Sequence, residues 1–177
     1  SMLNRLVLLI FIVTANSGSH LLSDLSGIVQ LMKVYLDNCM FNRPFDNQTN
    51  LRVRIETEAK LYVQDKIKLG DLGLVWSYIL DFENFQNPFV ERKQAIAKWR
   101  NFANVDIEET ALLLANAQFF VSLGIQPKDA LHVACAIEGQ ADYFLSTDDK
   151  LLKKLVTQHQ IIAMNPVDFI KVLENDY

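Results

Sequence analysis

Short apolar segments alternate with helical patterns along most of the chain, and this alternation constrains the fold more than any other feature. Segments typical of strands lie at 32–36, 73–76, around 105, at 142–146 and at 161–164. Short strands separated by helices need crossover connections, which place the strands side by side in a mainly parallel sheet. The strands near 32, 74 and 143 lack a clean apolar–polar alternation, as expected when both faces are covered. The pattern therefore predicts an α/β protein, a three-layer α/β/α sandwich with the first strand at its centre.

The helices are predicted from apolar spacing, capping residues, prolines and glycines. They are expected at 51–67, 78–85, 107–123, 127–138, 148–156 and 166–173, with one more that begins at Pro88. Pro88 is placed at the first helical position, where a missing N–H does no harm. Ser77 is expected to cap the helix that follows it.

Composition excludes some classes of protein. The chain has 177 residues, enough for one domain with a sizeable core, and its 17 basic and 21 acidic residues give a net charge of -4. This balance argues against a protein that coats nucleic acid through bulk positive charge, although local binding remains compatible with it. Cys39 and Cys135 form no CxxC pair. They are interpreted as reduced thiols of a cytoplasmic protein, not as a disulfide or a zinc site.

Residues 1–31 are expected to be a non-catalytic leader, followed by a catalytic domain at 32–177. Ser1-Met2 is typical of a cleavage scar, and 6–15 is an apolar run of ten residues. A membrane span needs about 20 such residues, so no membrane partner is predicted. Because Met32 opens a core strand, we favour a natural start there. A signal peptide, with Arg5 before the apolar run, and an added strand and helix are the alternatives.

Acidic residues follow the predicted strands at the edge where parallel sheets bind ligands. Asp37 closes the first strand, Glu83 lies about one and a half turns into the helix after the second, Asp129 lies in the first turn of a helix, and Asp148 and Asp149 follow the strand at 142–146. Each acid alone also fits a turn, a helix N-terminus or a solvated surface. The topology nevertheless brings at least three of them to one edge.

Clustered carboxylates need a partner. Two unit charges 4 Å apart repel by about 4 kcal/mol at an effective dielectric of 20. Such a cluster either shares a proton or binds a cation, and oxygen ligands favour Mg²⁺ or Mn²⁺ over zinc. A bound Mg²⁺ can generate hydroxide from water and stabilise the leaving oxygen of a phosphodiester.

Four segments of the sequence match one family in their order and spacing. These segments lie at 34–38, 77–83, 129–134 and 141–149. With them the chain resembles PIN-domain nucleases from Met32 to about Leu173. The resemblance implies a Mg²⁺- or Mn²⁺-dependent endoribonuclease that hydrolyses single-stranded RNA. It points in particular to the toxin-type PIN ribonucleases.

The resemblance also implies roles for single residues. The catalytic and metal-binding acids that it implies are Asp37, Glu83, Asp129 and Asp149. The fourth acid of the family falls two residues after a Ser or Thr, which favours Asp149 over Asp148 but leaves the choice open because the two are adjacent. Thr147 matches a hydroxyl that orients an acid or a metal-bound water, and Asp148 is a supporting residue. At Asn38-Cys39 the sequence departs from the family, since many members have a small hydroxyl residue there.

Basic residues near the acids are candidates for RNA contact. Arg43 follows the first acid and Lys150 the fourth, and either could meet a phosphate. A loop arginine explains Arg43 equally well, and a solvated helix face is the favoured interpretation of Lys150. His132 lies among small alanines on its helix and is interpreted as a packing residue, not a general base.

Two other functions compete with the nuclease. An aspartate-based phosphoryl-transfer domain needs a second acid beside Asp37, where Asn38 and Cys39 stand. An RNA- or protein-binding PIN-like module with little turnover has no need of the complete acid set. The resemblance further suggests a homodimer and, if the chain is the toxin of a toxin–antitoxin pair, an antitoxin protein as partner. The RNA target and the existence of an antitoxin stay open.

Overall fold

A five-stranded parallel sheet forms the centre of the protein in the computed structural model, which describes residues 30–175. The strands are β1 Lys33–Leu36, β2 Gly73–Ser77, β3 Ala103–Ile107, β4 Tyr143–Leu145 and β5 Ile162–Met164. Their order is β3-β2-β1-β4-β5, and every neighbouring pair is parallel. The predicted three-layer α/β/α sandwich with a central first strand is therefore confirmed.

Helices connect the strands and cover both faces of the sheet. They are α1 Asn38–Asn42, α2 Leu51–Leu69, α3 Tyr78–Phe85, α4 Val90–Ala97, α5 Ala111–Ser122, α6 Pro127–Glu138, α7 Asp149–Leu155 and α8 Pro166–Asn175, with 3-10 turns at Arg43–Phe45 and Lys98–Phe102. Helix α2 packs against α8, and α5 packs against α6.

Successive side chains of β2 show the two layers, because strand residues alternate between faces. Val75 lies against Gly139 at the end of α6, where any Cβ on the glycine would collide with the valine. Trp76 packs edge-on against Phe41 of α1, with 5.3 Å between ring centroids. A larger residue at 139 would therefore push α6 away from the sheet.

Two predicted helix boundaries are wrong for local reasons, and one helix was missed. The helix expected from Pro88 begins at Val90, because the Asn87 side chain accepts the Phe89 N–H at 3.1 Å and forms a turn around the proline. The helix expected at 107–123 begins four residues later, where the Thr110 hydroxyl accepts the Leu113 N–H at 3.1 Å. Helix α1 was not predicted.

The core lies on both sides of β1, whose side chains are almost all buried. Tyr35 stacks on Phe144 of β4, with 5.6 Å between centroids, and Trp76, Phe41, Phe120 and Phe169 are also fully buried. This packing fixes the ends of β1 and β4 relative to each other.

Two predictions concern the start of the chain. The leader assigned to residues 1–31 falls mainly on residues 1–29, which lie outside the described part of the chain, so it stays a prediction. Within residues 30–175, no helix has the length and apolar character that a membrane crossing requires.

Candidate active site

Asp37 is the best-fixed acid at the carboxyl edge of the sheet. Its N–H donates to the Leu145 carbonyl at 3.0 Å, which joins the end of β1 to β4. Its carboxylate accepts the Asn38 N–H at 2.7 Å and the Ser146 hydroxyl at 2.7 Å. Asp37 also caps α1 through the first of these bonds. Its role at the turn and its place among the acids of the site are therefore compatible.

Cys39 and Ser146 lie behind Asp37 and hold its carboxylate. The Cys39 thiol lies 3.3 Å from Asp37 Oδ2 and 3.3 Å from Ser146 Oγ. Burial, and then the charge of Asp37, raise the pKa of Cys39 to about 12. The thiol therefore stays protonated at neutral pH and acts as a donor, not as a nucleophile or metal ligand.

Sequence reasoning missed Ser146, because it assigned the supporting hydroxyl to Thr147. The parallel register pairs Leu36 with Leu145, which sets the next residues, Asp37 and Ser146, opposite each other. The Thr147 hydroxyl is buried and has no hydrogen-bond partner among residues 30–175. Such an unpaired buried hydroxyl is unfavourable unless a water or an ion completes it.

Asp129 and Asp148 line one cavity of about 230 Å³. Asp129 lies in the first turn of α6, as predicted. Partial burial raises the pKa of Asp129, and the charges of Asp37 and Asp148 raise it further, with a smaller contribution from Glu83. Asp129 therefore interacts electrostatically with each of the other three acids.

Asp149 does not join this group. Its carboxylate forms two hydrogen bonds to the Arg52 guanidinium, at 2.6 and 2.7 Å, and this guanidinium lowers the pKa of Asp149. Asp148 is the N-cap of α7 and accepts the Lys150 and Leu151 N–H groups at 2.8 and 3.1 Å. Adjacent residues at a helix start point about 100° apart, so only one of the two acids can face the sheet edge.

Glu83 has cationic and hydrogen-bonding partners on both oxygens. Lys128 Nζ lies 3.0 Å from Oε1, and His132 Nε2 lies 2.6 Å from Oε2. Burial opposes the ionisation of Glu83, but the hydrogen bonds and charges of His132 and Lys128 outweigh it and lower its pKa. Glu83 is therefore an ionised carboxylate at neutral pH, held on the wall of the site.

His132 is buried but does more than fill space, which corrects its interpretation as a packing residue. Its Nδ1 lies 2.7 Å from the Tyr35 hydroxyl, which lies 2.7 Å from the Ser77 hydroxyl. His132 thus connects the Ser77 and Tyr35 hydroxyls to the Glu83 carboxylate through hydrogen bonds. Ser77 is the N-cap residue of α3, as predicted, but its hydroxyl makes no cap hydrogen bond.

The two predicted RNA-contact residues differ in how they are held. Arg43 forms ion pairs with Asp46 and with the buried Glu56, at 3.0 and 3.1 Å. Lys150 is exposed and lines two cavities on either side of Asp148, of about 230 and 490 Å³. Lys150 is thus open to a ligand at the acids, whereas Arg43 is committed to a protein partner.

The oxygen ligands at the site suit a hard divalent cation, but the described side chains do not converge on a single metal position. Carboxylates and the unpaired Thr147 hydroxyl are oxygen donors of the kind that Mg²⁺ and Mn²⁺ prefer. Within residues 30–175, no group of three or more His, Cys, Asp or Glu side chains is close enough to hold a metal ion. Asp129 thus shares a cavity with Asp148 and interacts with the charges of Asp37 and Glu83, but the full convergence predicted for Asp37, Glu83, Asp129 and Asp149 is not seen among residues 30–175.

The raised pKa of Asp129 predicts that Asp129→Asn stabilises the fold when no divalent ion is present. A carboxyl whose pKa exceeds its ordinary 3.8 in the fold binds its proton more tightly there, so its stabilising contribution is lost as pH rises. Near pH 7 the substitution removes this loss, and we expect a higher melting temperature in EDTA. At a pH well below 3.8 the difference should vanish. A lower melting temperature near pH 7 would contradict the repulsion inferred for this residue.

Comparison with known proteins gives two structural likenesses. No protein-family model matches the chain, and no curated protein matches its sequence significantly. One is the structure of VapBC2 from Rickettsia felis bound to a DNA fragment from the VapBC2 promoter. It matches with 14% identity and a TM-score of 0.48, over 76% of this chain and 98% of that chain. FitAcB from Neisseria gonorrhoeae matches with 15% identity and a TM-score of 0.47, over 75% of this chain and 97% of that chain. At this identity and TM-score, neither likeness carries an argument about activity or partners.

Proposed function

We propose that the chain is a divalent-metal-dependent endoribonuclease that hydrolyses phosphodiester bonds of single-stranded RNA. The observation that carries the proposal is that Asp129 and Asp148 line one cavity at the edge of the sheet where Asp37 ends β1; burial and the charges of Asp37 and Asp148 also raise the pKa of Asp129. Mutually repelling carboxylates beside an open cavity need a proton or a cation. The sequence resemblance to toxin-type PIN ribonucleases supports the same function.

In this proposal Asp37, Asp129 and Asp148 hold Mg²⁺ or Mn²⁺, and Thr147 places its hydroxyl beside them. Asp148 takes the role first assigned to Asp149, because Asp148 acts on Asp129 and Asp149 pairs with Arg52. A bound ion supplies a nucleophilic hydroxide at neutral pH and stabilises charge on the leaving oxygen.

The chain's own residues prepare the site for an RNA phosphate. Ser146 and Cys39 fix the carboxylate of Asp37 through the contacts described above, which lowers the freedom that ligand binding must remove. Glu83 is ionised and fixed, so it can accept a hydrogen bond from a water molecule. Lys150 contributes an exposed positive charge beside Asp148, where it attracts the RNA backbone.

Cleavage of a labelled RNA tests the function directly. The purified full chain should cut single-stranded RNA with Mg²⁺ or Mn²⁺ and stop when EDTA is added, while double-stranded RNA should be cut more slowly. A lack of cleavage with both ions would reject the nuclease.

A binding module with little turnover is the second candidate, and one observation favours it. The described residues hold no closed metal cluster. This function predicts that the chain binds RNA equally well with Mg²⁺ and with EDTA and leaves the RNA intact. The same assay therefore separates the two candidates.

The choice of the fourth acid gives a specific prediction. Asp148→Asn should lower kcat/KM about 100-fold, because a metal site contributes several kcal/mol of charge stabilisation. Asparagine keeps the helix cap, so the fold should survive. Asp149→Asn should change kcat/KM less than about fivefold, because it loses only an exposed ion pair. The reverse order of effects would restore Asp149 as the fourth acid.

The toxin role is proposed on the sequence resemblance. It predicts a homodimer, which light scattering of the purified chain can test. It also predicts growth arrest when the chain is expressed without an antitoxin protein. Cells that express the Asp37→Asn variant instead should grow normally. Growth equal to that of an empty-vector control would reject it.

A further inference from the structure

We infer that the cavity beside Glu83 binds one nucleobase of the RNA strand, an inference that rests on the proposed function. The cavity has a volume of about 260 Å³, and its lining includes Asn42, Glu83, Gln86, Asn87, Phe89 and Arg92. Glu83 is one of the acids at the carboxyl edge of the sheet, so a base in this cavity would contact the wall of the proposed site.

The size of the cavity suits a small flat ligand. Pockets for small molecules commonly measure about 300–1,000 Å³, and this one is slightly below that range. A single base fits such a space, whereas a duplex keeps its bases stacked and paired. RNA recognition of this kind therefore requires an unpaired base.

The carboxamide groups around the cavity have hydrogen-bonding atoms that the protein does not use. Gln86 makes no side-chain hydrogen bond among the described residues, and Asn87 uses its oxygen to accept the Phe89 N–H at 3.1 Å, leaving its NH₂ group. Asn42 donates to the Asn38 carbonyl at 3.0 Å, leaving its oxygen. Carboxamides offer donor and acceptor pairs that match the edges of bases.

An exposed aromatic side chain lies on the same wall. Phe89 is 58% exposed, so its ring is accessible to a ligand in the cavity. The Arg92 guanidinium lies 4.7 Å from the Phe89 centroid and 4.8 Å from that of Phe45. This contact holds the Phe89 ring in place. A fixed, exposed ring beside polar base-reading groups is a stacking platform.

Binding without catalysis tests the base site. Fluorescence anisotropy in EDTA compares labelled oligo(A), oligo(C) and oligo(U) on the full chain. Phe89→Ala should weaken binding roughly 5- to 150-fold, the usual loss of one base stack, whereas Phe89→Trp should retain it. Gln86→Ala should reduce the difference in affinity among the three oligonucleotides. Phe119→Ala is the matched control, since Phe119 is 47% exposed on α5 and does not line the cavity.

The outcomes separate this inference from the proposed function. Binding that is unchanged in both Phe89→Ala and Gln86→Ala overturns the base site, and cleavage of RNA with Mg²⁺ would still support the nuclease. A chain that neither binds nor cleaves RNA overturns both. Equal weakening by Phe89→Ala and Phe119→Ala would show a general effect of exposed rings and would also overturn the site.

Discussion

The Asp37→Asn variant is expected to lose about 10²- to 10³-fold in RNA cleavage while keeping its fold. The reason for the loss is that Asp37 supplies negative charge to the proposed metal site, whose ion contributes several kcal/mol to the transition state. The reason for the intact fold is that asparagine is as good an N-cap as aspartate. Its side-chain oxygen can still accept the Asn38 N–H, and its NH₂ can donate to Ser146. Single-turnover cleavage with Mg²⁺ measures the first effect, and urea unfolding measures the second.

Binding of the ion gives an independent readout for the same variant. Mn²⁺ titrated into the unaltered chain and into Asp37→Asn should show weaker binding in the variant, with or without RNA. Cleavage at the unaltered rate with Mg²⁺ would place the site elsewhere. An unfolded variant would mean that the Asp37 carboxylate is required for stability, through its hydrogen bond with Ser146.

The sequence predicted the placement of Asp37 and Asp129 because both depend on local signals. Asp37 follows an apolar strand, and Asp129 follows a proline that starts a helix. In a parallel sheet these two signals point to the same edge. The fold was predicted for the same reason, since the alternation of elements limits the possible topologies.

The choice between Asp148 and Asp149 needed information that a sequence does not hold. A one-residue shift of a helix start turns the side chain by about 100°. The start of α7 is set by which acid caps it, and both acids are good caps. The competing partner of Asp149, Arg52, lies 97 residues earlier in the chain.

The hydrogen-bonded chain from Ser77 to Glu83 was also hidden in the sequence. Tyr35 and His132 are 97 residues apart and belong to different layers of the fold. A lone histidine among alanines is more often a core residue, so its interpretation as packing followed the usual case. The relevant signal was a tyrosine inside a buried strand, because a buried hydroxyl needs a polar partner from the helix above it.

Glu56→Ala is expected to lower the free energy of unfolding by roughly 3 kcal/mol, the lower end of the range for breaking a buried ion pair. Glu56 is 2% exposed. It accepts the Arg52 Nε–H at 2.9 Å and the Asn165 NH₂ at 2.9 Å, and it pairs with Arg43 Nε at 3.1 Å. The loss would leave Arg43 and Asn165 poorly solvated, whereas the half-exposed Arg52 recovers water, so the upper end of the range is not expected.

A matched variant on the same helix isolates this effect. Glu58 is exposed, so Glu58→Ala should change the free energy of unfolding by less than about 0.5 kcal/mol. Glu56→Gln retains the hydrogen-bonding shape without the charge and should fall between the two. Urea unfolding followed by circular dichroism measures all three. If Glu56→Ala is no worse than Glu58→Ala, the arginines are solvated in solution. The segment that follows α1 is then not anchored to α2 by charge, and Arg43 is free to meet an RNA phosphate after all.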